Sequence, residues 1–204
     1  MTYRRGFFVI DGCVGAGKSS VLAELKRHLP NFHFTREPGA TELGSICRAL
    51  ILESKPELNL FSSLFLVLAD RAQHLVKLRT LDGPIISDRY YPSTVAYWGA
   101  AHGLGEELVE NICLEVCGDF LPELTFILDV DPEIGRQRKL NQGSLDNLDG
   151  RSLEFHAKAR KSFQRQAHSD PARFILIDTS NIDLDSVVRM VLDEILHRYE
   201  FRSE

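Results

Sequence analysis

The chain has 204 residues, of which 44% are hydrophobic and 26% charged, enough to build one substantial core without staples. A formal net charge of −5 and a pI near 5.8 exclude a general polyanion binder, which carries a basic face. Four cysteines make no disulfide framework at this length, and the seven histidines show no zinc spacing, so reduced, mostly buried thiols and no metal-binding histidine are expected.

The first expected strand, residues 7–11, is apolar and runs into Gly12-Cys13-Val14-Gly15-Ala16-Gly17-Lys18-Ser19, after which Ser20 opens a helical pattern over 20–29. Strand, glycine-rich loop and helix in this order fit the phosphate-cradling P-loop in its expected setting. Gly12, Gly15 and Gly17 let the backbone come close to phosphate oxygens, and the helix adds its positive end. Lys18 can reach the β- and γ-phosphates, and the Ser19 hydroxyl is placed to join the shell of a Mg²⁺ ion.

A second strand, 32–36, delivers Thr35-Arg36-Glu37-Pro38-Gly39, and helical spacing follows over 42–52 and 59–81. The third strand, 84–88, ends in Ser87-Asp88-Arg89-Tyr90. Helix 106–117, strand 124–129 and helix 132–140 come next, the last with Asp131 as N-cap before Pro132. Residues 141–151 are polar and poorly patterned, read as a mobile lid over the nucleotide rather than an ordinary surface loop. Helix 153–168, strand 173–178 and helix 184–201 complete the chain, with residues 178–181 a plausible adenine loop. The alternation implies an α/β domain over 1–204 of the P-loop NTPase kind: a five-stranded parallel sheet, helices on both faces and a short lid at 138–151. The N-terminal apolar run is short and leads straight into the loop, and the longest interior run, 64–69, cannot span a bilayer, so a cytoplasmic location and no membrane partner are expected.

Ligands of open α/β sheets bind beyond the C-terminal strand ends. Arg36 and Arg89 are therefore expected near the phosphates, where an arginine fork grips an anion and stays charged. Asp88 lies where a P-loop enzyme places the carboxylate that orients Mg²⁺ or its waters, the alternative being a buried structural pair with Arg89. No residue stands out as a base for activating water, whereas an acceptor phosphate needs only positioning and charge neutralisation. Phosphoryl transfer to a monophosphate is favoured over hydrolysis.

Together the phosphate loop, Phe34-Thr35-Arg36-Glu37-Pro38-Gly39-Ala40-Thr41, Ala69-Asp70-Arg71-Ala72-Gln73, Asp88-Arg89-Tyr90 with Ser93-Thr94-Val95-Ala96-Tyr97, and Leu128-Asp129-Val130-Asp131-Pro132-Glu133 resemble the thymidylate kinase family of the bacterial kind. The resemblance implies transfer from ATP, with Mg²⁺, to thymidine monophosphate (dTMP), by a homodimer without nucleic-acid partners. It implies that Arg36 and Arg89 hold the acceptor phosphate, that Arg71 meets the thymine edge, and that Ser93, Thr94 and Tyr97 line the nucleoside pocket. Lys18, Asp88, Arg89 and Arg138, at the start of the lid, form the expected catalytic set. The apolar side of residues 58–81 is the natural dimer surface.

Several positions depart from the family pattern. Val14 replaces an acidic residue that meets the sugar 3'-hydroxyl, Val67 replaces a phenylalanine that stacks on thymine, and Trp98 stands where a small or amide residue is common. Leu140, Gln142 and Asn147 occupy lid positions that often carry arginine, with Lys139 and Arg151 as unmatched substitutes. A lost stacking aromatic costs roughly 1–3 kcal/mol. A kinase for another or modified nucleoside monophosphate, and a catalytically weak nucleotide-binding module, therefore stay open.

Overall fold

The structure is a computed structural model describing residues 3–53, 58–141, 143 and 147–200. Strands β1 (Tyr3–Gly12), β2 (His33–Arg36), β3 (Ile85–Asp88), β4 (Leu121–Asp129) and β5 (Phe174–Asp178) form one sheet in the order β2-β3-β1-β4-β5. Every pairing is parallel, as the alternating sequence pattern requires. β1 occupies the centre because its residues alternate between two buried faces. Phe7 and Val9 pack with Leu75, Leu78, Ile85, Tyr90 and Phe120, while Phe8 and Ile10 belong to the larger core.

Helix α1 (Lys18–His28) follows the phosphate loop, and α2 (Glu42–Glu53) and α3 (Leu60–Leu78) follow β2. Asn59 caps α3 by accepting the Phe61 N–H. After β3 come α4 (Tyr91–Thr94), a π-helical segment (Val95–Ala101) and α5 (Glu106–Cys117). Then α6 (Pro132–Asn141) and α7 (Leu153–Ser169) lie between β4 and β5, and α8 (Leu184–Glu200) follows β5. Asp131 caps α6 as expected, its Oδ1 accepting the Glu133 N–H at 3.0 Å. Phe201 and Gln142 lie outside the described residues, as do residues 144–146 of the expected lid.

The helical stretch from Tyr91 to Ala101 has no counterpart in the sequence expectation. Ser93, Thr94, Val95, Tyr97 and Gly99 are weak helix formers, so propensity gives no signal there. Packing imposes the helix instead: Val95, Ala96, Tyr97 and Trp98 are all buried. The wide π turn, with His102 N–H donating to Tyr97 O at 2.8 Å, shifts the side chains that face the cavity described below. All four cysteines are buried and free, as expected. Among the described residues no helix is long and apolar enough to cross a membrane.

Candidate active site

A cavity of about 700 Å³ opens beyond the C-terminal ends of β1, β2 and β3. Of the expected catalytic, cofactor-binding and substrate-binding residues, all except Gly12 and Cys13 line it. Those two lie behind the loop. Gly12, at φ 120°, lies so close to β4 that a Cβ would meet Leu128 O at 2.2 Å. The Cys13 thiol donates to Asp129 Oδ1 at 3.4 Å and is pushed up to about 12, first by burial and then by the Asp129 charge.

The loop's tip is set by a second close approach. Gly15, at φ 73°, faces Gly135 on α6, and a Cβ on Gly135 would lie 2.4 Å from Val14 O. Lys18 folds back into the loop, Nζ donating to Gly12 O at 3.1 Å and Cys13 O at 2.6 Å. Burial and the neighbouring Arg89 charge bring its ammonium down to about 7, against the pull of Asp88 and Asp11. An anion of high charge placed there restores the proton's advantage. Ser19 and Ser20 are exposed to the cavity at the positive end of α1.

Asp11, at the end of β1, has a structural part that sequence reasoning left unassigned. Its Oδ1 accepts from Gly12 N–H at 2.8 Å and from the Ser93 hydroxyl, and its Oδ2 accepts from the N–H groups of Tyr90 and Ser93. One fully buried carboxylate thus ties the phosphate loop to the turn after β3. Burial raises its pKa, against the opposing charge of Arg89 and these donors. The signal available in sequence was an acid ending an apolar run directly before Gly12.

At the neighbouring strand ends, Arg36 is exposed, whereas Arg89 is partly covered. Arg89 holds a left-handed backbone, φ 69°, the one such non-glycine among the described residues. This turn aims its guanidinium back across the site, where NH1 donates to Gly12 O at 3.3 Å and Ser93 Oγ at 2.9 Å and lies 3.6 Å from Asp11 Oδ1. Asp88 Oδ1 is buried yet has no hydrogen-bond partner among the described residues. An orphaned carboxylate oxygen in the wall of a cavity that Ser19 also lines suits a hydrated divalent cation.

On the β2 side, Arg71 is 1% exposed and held at each of its three nitrogens: Nε donates to Glu37 Oε2 at 2.9 Å, NH2 to Thr94 Oγ1 at 3.0 Å and NH1 to Cys113 Sγ at 3.4 Å. Its guanidinium also lies over the Tyr90 ring at 5.0 Å. Tyr97 is buried beneath Arg89, its hydroxyl unpartnered among the described residues. Val67 and Trp98 line the same wall, and the Trp98 indole N–H donates to Ser63 Oγ at 2.8 Å. Ser63 lies one turn before Val67 on α3, so the indole is fixed beside the valine. Phe65 is 59% exposed and belongs to another face of α3.

The lid side carries cations with defined partners. Arg138 donates to Gly15 O, Thr179 O and Ser180 O, bridging the phosphate loop to the turn after β5. Lys139 pairs with Asp149 at 3.0 Å, and Arg151 lies over the Phe155 ring. Asn147 N–H reaches Leu52 O on α2 at 3.2 Å, and Leu52, Leu148 and Asp149 line the cavity. Behind it Arg160 grips Asp129 through Nε and NH2. Thr179, Ile182 and Leu184 contribute an apolar and hydroxylated wall beyond β5, beside the expected adenine loop.

A P-loop at the centre of a parallel sheet, with arginines at the ends of β3 and β2 on one side of it, defines a nucleotide-dependent phosphotransferase of the nucleoside monophosphate kinase class. The family model described as thymidylate kinase matches residues 10–191. A thymidylate kinase of Chlamydia felis is 40% identical over 183 residues, covering 84% of this chain and 88% of the relative. One from Protochlamydia amoebophila is 37% identical over 194 residues, covering 86% of each. The crystal structure of thymidylate kinase from Ehrlichia chaffeensis superposes with a TM-score of 0.74 at 27% identity, covering 96% of this chain and 99% of that one. The chain belongs to the thymidylate kinase family.

Proposed function

We propose that the chain transfers the γ-phosphoryl group of ATP to dTMP, giving dTDP. The observation that carries this reading is a single cavity that presents Lys18 and the α1 N-terminus together with Arg36, Arg89 and Arg71, so donor and acceptor phosphates share one space. Lys18 neutralises the donor's β/γ charge, and Arg36 and Arg89 hold the acceptor phosphate, which needs no base. Ser19 and the orphaned Asp88 oxygen would hold Mg²⁺, which would supply charge neutralisation of the donor phosphates. Arg138 acts on the donor side by holding the loop against the turn after β5. Arg138, Lys139, Leu148 and Asp149, which line the cavity, would help to exclude water from the loaded site.

Arg71 and Thr94 face the base, with Ser93, Tyr97 and Trp98 completing the nucleoside wall. Trp98 supplies the aromatic surface that Val67 does not. A panel of monophosphates with ATP, including 3'-modified thymidine nucleotides, tests the acceptor: dTMP is expected to give the highest kcat/KM. A preference for 3'-modified acceptors would point to the apolar Val14 as the determinant, and ATP binding without turnover would leave only a binding module. Within that panel, Val67→Phe is expected to lower kcat/KM for dTMP by about fivefold to 150-fold, because overpacking against the fixed indole costs about 1–3 kcal/mol. Higher activity would show that the aromatic position on α3 is vacant.

The protein is proposed to work as a cytoplasmic homodimer as a single 1–204 domain, with no nucleic-acid or membrane partner. Leu43, Ile46 and Leu50 on α2 and Phe61 and Phe65 on α3 are exposed apolar groups that a second copy would cover. Sedimentation at the 23.1 kDa monomer mass under assay conditions would contradict it.

A further inference from the structure

β2 is a four-residue strand at the sheet edge, bonded only to β3, yet it ends in an arginine that has to be aimed accurately. The side chains on either side of Arg36 are both held by one residue. His74, fully buried on α3, has Nε2 2.6 Å from Thr35 Oγ1 and Nδ1 2.9 Å from Glu37 Oε1. Alternation along the strand places residues 35 and 37 on one side and Arg36 on the other. Neither Thr35 nor His74 lines the cavity, whereas Arg36, Glu37 and Arg71 do.

Glu37 continues the chain, its second oxygen accepting Arg71 Nε at 2.9 Å. With Glu37 ionised against Arg71, the oxygen facing His74 can only accept, so Nδ1 carries a proton. In the singly protonated ring Nε2 then accepts the Thr35 hydroxyl proton. The imidazole is thus a two-ended strut between the strand end and the carboxylate that orients Arg71.

We propose that His74 is a positioning residue for acceptor binding: through Thr35 it fixes the strand end that presents Arg36, and through Glu37 it fixes Arg71. The inference rests on the reading that Arg36 meets the acceptor phosphate and Arg71 the base. It predicts that the two ring nitrogens have separable effects. Asparagine can place an amide nitrogen near Nδ1 to donate to Glu37, and glutamine an amide oxygen near Nε2 to accept from Thr35.

The test compares His74→Asn, His74→Gln and Thr35→Val with wild type, using steady-state kinetics on dTMP, dUMP and dCMP with ATP. His74→Asn and Thr35→Val release the strand end and are expected to raise KM for all three acceptors roughly threefold to tenfold, the effect of one net hydrogen bond. His74→Gln releases Glu37 and is expected to reduce the preference for dTMP over dUMP and dCMP by a similar factor. KM for ATP should stay within about twofold throughout, since none of these groups touches the phosphate loop. Equal losses toward ATP and acceptor, or unchanged acceptor constants in folded variants, would overturn the proposal. Arg36→Ala and Arg71→Ala run alongside: if they leave acceptor binding intact, the underlying site reading fails, whereas if they damage it and the His74 variants do not, only the role of His74 fails.

Discussion

Lys18→Met is expected to lower kcat by on the order of 10²–10³ while the protein stays folded, because it removes the cavity-lining cation proposed to neutralise the donor's β/γ charge. Wild-type turnover in this variant would remove Lys18 from the mechanism. The substitution has a second signature. In the folded state without nucleotide the ammonium lies near 7, well below the 10.5 of an unburied lysine. Between these values the unfolded chain binds more protons than the folded one, so stability rises with pH. The cost of the buried charge is fully present below about 7 and relieved toward 10.5. The melting temperature of wild type relative to Lys18→Met should therefore climb from pH 7 to pH 10, and a flat difference would show that Lys18 is not desolvated.

Gly135→Ala is expected to cut kcat/KM by about 10²-fold, although Gly135 lies outside the phosphate-loop motif. Alanine in a helix interior ordinarily stabilises by about 1 kcal/mol over glycine. Here the new Cβ would sit 2.4 Å from Val14 O and 3.1 Å from Val130 Cγ1. Backbone cannot yield as a flexible side chain can, so either α6 retreats or the loop distorts. Kinetics within a few fold of wild type would mean that α6 yields without disturbing the loop.

The strands and the loop were legible because their signals are local. Residues 7–10 are an unbroken apolar run followed by an acid and a glycine, and Gly12 through Ser19 keep fixed spacing whatever surrounds them. Arg36 and Arg89 could be placed from strand order alone, since a parallel sheet gathers its strand ends on one edge. What escaped depends on partners distant in sequence. The stretch from Tyr91 to Ala101 is helical because its apolar side chains are buried, not because its residues favour helix. His74 carries no sign that it meets residues 35 and 37, and Gly135 reads as an ordinary surface-helix glycine until the phosphate loop lies against it. Trp98 looked like a bare departure from the family; its bond to Ser63 gives it a fixed place in the wall.

The sulfur within the phosphate loop has a pharmacological consequence. A loop cysteine beside an ATP site invites design of covalent inhibitors, which need a thiolate and an approach path. Cys13 offers neither: it is 7% exposed, faces Asp129 rather than the cavity, and holds its proton up to about 12. In electrophile chemistry it behaves as a small apolar side chain, so selective ligands for this enzyme gain more from shape at Val67 and Trp98 than from a warhead.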